Sequence, residues 1–427
     1  MVRRQPRRLK QAPLPEGNVC PVKIDAEAAG FDGRRLARID DHLIRRYIEP
    51  GKIAGCQVLV ARHGSVGYFR SFGHADRERG RPMADDTIFR IYSMTKPVTG
   101  VALLSLYEQG HFQLDDPVHR FIPELRDLKV RQRDEDGQRQ LVAPHRPVSI
   151  RDVLMHTSGF GYETLRPMGS DVGTVPAGVF GSNSTFTLAD LMGRLAETPL
   201  HFQPGTHWLY SVSIDVCARL VEVISGQRFD EYLRSTLFEP LGMADTGFHV
   251  PDADIDRFAA LYRRRARDKS LALSEDPVES TFRTPPALLM GGGGLVSTSA
   301  DYLRFCQMLL NGGELDGVRI LGRKTVELMA SNHLSGGVAL SEVAQGYGEV
   351  GFAGMGFGLT VAVSQGPVAT GVVGSAGSYL WGGMASTAFW IDPVEDLTVI
   401  FMTQLVPSGT FNFRSQLQTL VYGALAD

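Results

Sequence analysis

Residues 87–110 read TIFRIYSMTKPVTGVALLSLYEQG. The opening Thr87 to Ile91 is mostly β-branched or aromatic and predicts a strand. From Met94 to Gln109 apolar residues recur at Val98, Val101, Ala102 and Leu106, a helical period, and Gly110 stops the helix. Ser93 and Lys96 fall at this strand-to-helix junction, three residues apart, on one helical face. A serine hydroxyl is a poor nucleophile until a base takes its proton. Lysine is such a base only when neutral, and burial or nearby positive charge lowers its pKa. The positive end of the helix would favour an alkoxide on Ser93. Alone the tetrad is weak. Ser-x-x-Lys arises often by chance, and an N-cap serine with a solvated lysine explains the same residues.

Upstream, Phe31 to Tyr47 has the spacing of a helix, with Leu36, Ile39, Leu43 and Ile44 on one face. Ile53 to Ala61 and Val66 to Phe72 read as strands around a turn at His63-Gly64-Ser65. Downstream, Ser149-Ile-Arg-Asp152 is a capping box opening a helix to His156. Tyr210 to Ile224 and Phe229 to Leu241 are helical in pattern. Val130 to Gln140, Leu165 to Thr185 and Asp252 to Pro286 read as loops, the last two able to shape a pocket. After Gly291–Gly294 strands return at Phe357–Ser364, Thr387–Ile391 and Leu397–Thr403. Helices at Asp301–Leu310, Lys324–Ser331 and Arg414–Ala424 flank them. Strands near both chain ends with helices between them predict an α+β fold whose sheet is assembled from both termini. The expected organisation is a basic tail at 1–22, a sheet domain at 23–110 and 285–427, and a mainly helical domain at 111–284.

The composition narrows the function. The chain has 427 residues, enough for one large domain or two closely packed ones. Its net charge of −3 gives no global basic field for nucleic acid. The apolar runs are too short for a membrane span. The opening MVRRQPRRLKQAPLPEG is basic but has no apolar segment after it, so it does not read as a secretory signal. Cys20, Cys56, Cys217 and Cys306 form no CxxC, and a reduced, cytoplasmic protein with free thiols is expected. No H-E-x-x-H occurs and the His and Cys residues are scattered, so neither a metal nor another cofactor is expected. Asp115-Asp116 before Pro117 reads as a helix-start turn. Arg263-Arg-Arg265 reads as a solvated run. The absence of G-x-S-x-G argues against an α/β-hydrolase elbow, and His156 reads as structural. Nothing in the pattern fixes an oligomeric state.

Three further segments follow Ser93-Met-Thr-Lys96 in order: His156-Thr-Ser-Gly159, Phe202-Gln-Pro-Gly-Thr-His-Trp-Leu-Tyr-Ser211, and Gly291-Gly-Gly-Gly-Leu-Val-Ser-Thr-Ser-Ala-Asp-Tyr-Leu303. Together they resemble the serine β-lactamase and penicillin-binding-protein-like superfamily, its class C branch, and within it the family VIII carboxylesterases. The resemblance runs from about residue 30 to the end. It implies an antiparallel sheet flanked by helices, with a mostly helical insertion. It assigns Ser93 as nucleophile, Lys96 as base and Tyr210 as proton relay, provided lysine charge lowers the phenol's pKa. Trp381-Gly382-Gly383-Met384 stands where the superfamily carries Lys-Thr-Gly, which makes the backbone N–H groups of Ser93 and Met384 the implied oxyanion hole. Tyr162 matches a pocket tyrosine of the esterases, and Trp208 is an expected apolar neighbour of it.

Two departures bear on the substrate. The tyrosine motif reads Tyr210-Ser211-Val212, where β-lactamases carry Tyr-x-Asn, and valine cannot bond a β-lactam side-chain amide. Trp381 replaces the cationic residue that helps bind the substrate carboxylate. The expectation is therefore a serine carboxylesterase for small, short-acyl esters, with no cofactor and a small-molecule ester as its partner. An acyltransferase on the same fold, or a β-lactamase with esterase side activity, is the alternative. A non-catalytic sensor is disfavoured by the intact Ser93, Lys96 and Tyr210.

Overall fold

The computed structural model describes residues 23–162 and 184–426. The expected tail at 1–22, Cys20 and nearly all of the Leu165–Thr185 loop lie outside the described residues. Eight strands form the main sheet: β1 (Gly55–Arg62), β2 (Ser65–Asp76), β3 (Arg81–Pro82), β4 (Met355–Phe357), β5 (Ala362–Ser364), β6 (Tyr379–Gly382), β7 (Ala388–Asp392) and β8 (Leu397–Thr403). Their order is β4-β5-β6-β7-β8-β1-β2-β3, every neighbouring pair antiparallel. The sheet thus draws on both ends of the chain. The pair β8 and β1 joins them, with Cys56 opposite Thr403 and Arg62 opposite Leu397.

Both central strands are buried along their whole length. A strand buried on both faces needs a cover on each side, and its residues need not alternate with polar ones. Four helices frame the core: α1 (Thr95–Glu108), α2 (Ser213–Ser225), α3 (Ser299–Leu310) and α4 (Phe413–Tyr422). Phe401 of β8 pairs with Ala388 of β7, so neighbouring Phe389 points to the opposite face. Phe401 packs on Phe413 of α4 at 4.8 Å between ring centroids. Phe389 packs on Tyr302 of α3 at 5.2 Å. The sheet is therefore sandwiched between α3 and α4. Helix α1 is buried from Thr95 to Leu106 and packs against α2. One continuous apolar core runs through the sheet and the helical half.

Several local readings are corrected. Val130 to Gln140 is not a loop: Val130–Arg133 and Arg139–Val142 pair as a hairpin, which its alternating charges had masked. Phe357 to Ser364 is not one strand but the hairpin β4–β5, turned at Thr360 with φ +74°. Within Thr87 to Ile91 only Phe89–Arg90 is strand, paired with Val296–Ser297. Asp252 to Pro286 contains a hairpin, Leu261–Arg264 with Leu271–Glu275, to which Leu405–Val406 adds in parallel. The capping box at Ser149 and Asp152 forms as read.

Phe401 is fully buried at the sheet centre. Phe401→Ala should lower unfolding stability by about 3–5 kcal/mol through lost burial and an unfilled cavity, read by chemical denaturation.

Candidate active site

Ser93 sits in a single 3₁₀ turn, Tyr92–Met94, between the short strand Phe89–Arg90 and α1. The preceding Tyr92 has φ +42°, a sparsely populated conformation for a non-glycine residue that costs on the order of 1–3 kcal/mol. The turn is held from two sides. Ile91 N–H donates to Leu295 O at 3.1 Å, and Leu295 N–H donates to Thr95 Oγ1 at 3.1 Å, which stitches the Gly291–Gly294 loop to it. From the other side, the turn after β6 presses on the Ile91 carbonyl. A Cβ at Gly383 would run into that oxygen, so glycine is required there.

Lys96 is completely buried. Its Nζ donates to Ser93 Oγ at 3.1 Å, Tyr162 Oη at 2.9 Å and Gly292 O at 2.5 Å. It also lies 4.5 Å from the centroid of the Tyr210 ring. The reading of Ser93 as an N-cap with a solvated lysine is thereby excluded. Burial pushes the ammonium down to about 8, against the opposing charges of Asp215 and Glu349. A base of that pKa is substantially neutral in mildly alkaline water.

Asp215, in the first turn of α2, escaped the sequence reading because such an acid is ordinary at a helix start. Its Oδ1 accepts the Gly292 N–H at 3.0 Å, while the carbonyl of Gly292 accepts from Lys96. The buried carboxylate thus lies one residue, Gly292, behind the lysine, and its own pKa is raised by burial to about 6.

Tyr210 is not on the helix it was assigned to. It precedes α2, for which Val212 is the N-cap. Its ring is hemmed in by His156 (5.0 Å), Tyr162 (5.4 Å), Trp381 (5.4 Å) and Trp208 (6.0 Å, stacked). Among the described residues its hydroxyl makes no hydrogen bond. Burial holds the phenol well above its ordinary value, opposed by the neighbouring Ser93 hydroxyl and Trp381 N–H. The expected lowering by lysine charge is overturned, because desolvation outweighs every favourable neighbour. His156, with φ +60° and Nδ1 3.2 Å from Ser211 Oγ, is buried and kept neutral.

A cleft of 720 Å³ opens above Ser93. Tyr92, Tyr162, Tyr210, Phe248, Phe282, Leu288, Met290 and Met384 line it, with Glu275 and Glu349 as its charged groups among the described residues. Five expected substrate contacts lie outside the cleft lining: Trp208, Val212, Trp381, Gly382 and Gly383. Trp208, Val212 and Trp381 are fully buried. Trp381 lies on β6 beneath Tyr210, and Trp208 stacks behind it, so both brace the tyrosine. Val212 turns into the core because it opens α2. Gly382 and Gly383 serve packing: a Cβ at Gly382 would meet Arg414 Nη2 at 2.6 Å. Met384 reaches the cleft and is 45% exposed. Neither its N–H nor that of Ser93 has an acceptor among the described residues.

Comparison with known proteins gives a consistent picture. The family model described as Beta-lactamase matches residues 41–422. The protein Rv1367c of Mycobacterium tuberculosis is 35% identical over 371 residues, 85% of this chain and 89% of that one. Esterase EstB of Burkholderia gladioli is 33% identical over 401 residues, 91% and 95% of the two chains. Among solved structures, EstCE1, described as a hydrolase with promiscuous acyltransferase activity, superposes with a TM-score of 0.75 at 28% identity, covering 92% of this chain and 99% of its own.

The Lys96 environment sets a pH dependence. An ammonium cannot take the serine proton, so kcat/KM for a neutral ester should rise with pH and level off above about 8. Asp215→Asn removes a charge that raises the lysine's pKa, and should move this limb to lower pH. A limb that stays put in the variant, measured by pH–rate profiles, would show that Asp215 does not act on Lys96.

Proposed function

The chain belongs to the β-lactamase family, and on that premise we propose that it hydrolyses short-acyl carboxylic esters through an acyl-enzyme on Ser93. The observation that carries this is the fully buried Lys96, its Nζ 3.1 Å from Ser93 Oγ. In the first half-reaction Lys96 takes the Ser93 proton as Oγ bonds to the ester carbonyl carbon. The carbonyl oxygen becomes an oxyanion, stabilised by the N–H groups of Ser93 and Met384. Two such donors matter, since losing one typically costs about 3–4 kcal/mol. Collapse breaks the bond to the alcohol oxygen. Tyr210, kept as a neutral phenol, hands that oxygen a proton and is reprotonated from Lys96. Water then attacks the acyl-serine with the same groups in reverse, releasing the acid and restoring Ser93.

Esters suit this cleft better than β-lactams. Its lining among the described residues holds no cation to receive a substrate carboxylate, and an alkoxide leaves more readily than an amine. Relatives named as an esterase and as a hydrolase agree with that choice. Transfer of the acyl group to an alcohol is a second outcome of the same intermediate, favoured by the promiscuous acyltransferase activity of EstCE1. The net charge of −3 supports a protein without nucleic-acid partners. Among the described residues no helix is long and apolar enough to cross a membrane. The free, buried thiols of Cys56, Cys217 and Cys306 support a reducing, cytoplasmic location.

Hydrolysis of p-nitrophenyl esters from acetate to octanoate, beside a chromogenic cephalosporin, tests the reading. Short esters should turn over fastest and the cephalosporin should lag. Ser93→Ala and Lys96→Ala should each lose at least about 10³-fold in kcat. Undiminished activity in Ser93→Ala would sink the mechanism.

A further inference from the structure

The cleft contains a carboxylate that ester cleavage leaves idle. Glu349 lines it together with Ser93 and Tyr210. Its side chain accepts a hydrogen bond from the Tyr347 hydroxyl at 3.1 Å, and no ion pair engages it among the described residues. The Arg414 guanidinium bonds instead to the main-chain carbonyls of Glu349 (3.1 Å) and Trp381 (3.3 Å), behind the wall and outside the cleft lining. Glu275, the other carboxylate of the cleft, is already matched by Arg90, with Nη2 at 2.9 Å and Nε at 3.2 Å from Oε1. Glu349 is therefore the cleft carboxylate with no direct ion-pair partner among the described residues, its charge felt only at longer range by buried Arg414 and Lys96. It is close enough to the reacting groups that its charge holds up the pKa of Lys96, Tyr162 and Tyr210. Aromatic faces surround the same space: Tyr347, 55% exposed, with Tyr92, Tyr162 and Phe282.

We propose that Glu349 is a specificity-determining residue whose carboxylate, together with the Tyr347 ring, receives a cationic ammonium group on the ester, a selectivity that presupposes the ester hydrolysis proposed above. An ammonium ion gains from a carboxylate and from the negative faces of aromatic rings at once. An alkyl group of the same shape gains only contact. An anionic ester meets a like charge. The preference enters through binding, so it appears in kcat/KM.

The test compares acetylcholine with its uncharged isostere 3,3-dimethylbutyl acetate and with anionic 4-acetoxybutanoate, following acid release. Wild type should favour acetylcholine over the isostere by about tenfold, with the anion slowest. The preference should shrink as ionic strength rises. In Glu349→Gln the ratio should fall toward one and lose its salt dependence. Being a ratio within one protein, it is insensitive to how much of the variant folds. Tyr347→Leu, which keeps the charge and removes the ring, should lower it in part. A wild-type ratio at or below one, or an unchanged ratio in Glu349→Gln, would overturn the proposal. If wild type cleaves none of the three, the esterase reading fails instead. Calorimetric binding of choline then decides the cation site: binding that Glu349→Gln abolishes supports it, and no binding to wild type refutes it.

Discussion

The structure is organised around one costly act, the removal of a lysine ammonium from water. Lys96 is completely buried, and a buried charge is tolerated only where hydrogen bonds and nearby charges replace its hydration. An ammonium has three protons to place. Here Ser93 Oγ, Tyr162 Oη and the Gly292 carbonyl take one each, and the face of Tyr210 covers the nitrogen. These partners come from four separate parts of the chain, so the lysine both requires the surrounding fold and fixes it. The compensation is incomplete, which is why its pKa falls rather than holding at the ordinary value. A perfectly solvated lysine would be a poor base. A perfectly desolvated one would have no reason to sit beside the serine.

The same requirement explains features that look unrelated. The Gly291–Gly294 loop must lay one carbonyl on Lys96 while its N–H faces Asp215, and only a backbone free of side chains fits. A Cβ at Gly291 would lie 2.7 Å from both Ala218 Cβ and Ile214 O. Asp215 and Lys96 thus hold the two peptide groups on either side of the Gly292 Cα. Helix α1 carries Lys96 under the Ser93 turn because it is sunk in the core against α2, and this accounts for its burial from Thr95 to Leu106.

The Ser-x-x-Lys tetrad, the strands β1, β7 and β8 and the sheet's derivation from both termini were legible in the sequence, because apolar period and turn residues report local structure directly. Ser93, Lys96 and Tyr210, which the fold brings together, were legible through motifs. What escaped were contacts made across the fold. Asp215 gives no local signal, since its role exists only once Gly292 is folded over it. Tyr162 lines the cleft as read, but that its hydroxyl also accepts a hydrogen bond from Lys96, 66 residues away in sequence, was not legible. Trp208, Trp381 and Val212 sit within or beside recognisable motifs, but the sequence cannot say which side of a tyrosine a tryptophan occupies. The hairpin from Val130 to Val142 was missed because exposed strands rich in charge look like loops.

The placement of Trp381 carries a consequence for recognition. At a position where a cation would reach out to a substrate carboxylate, an indole is instead folded under Tyr210 and Phe357, at 5.4 Å and 5.5 Å between ring centroids. Its aromatic neighbours, rather than a substrate, hold it there. The side chain has moved from the substrate's side of the site to the tyrosine's. Recognition is then left to the walls of the cleft, which are largely aromatic and aliphatic. Apolar walls discriminate weakly, because one methylene in such a pocket is worth only about 1–3 kcal/mol. A site built this way holds many esters adequately, and whatever selectivity it has must come from the few polar groups that remain on its surface.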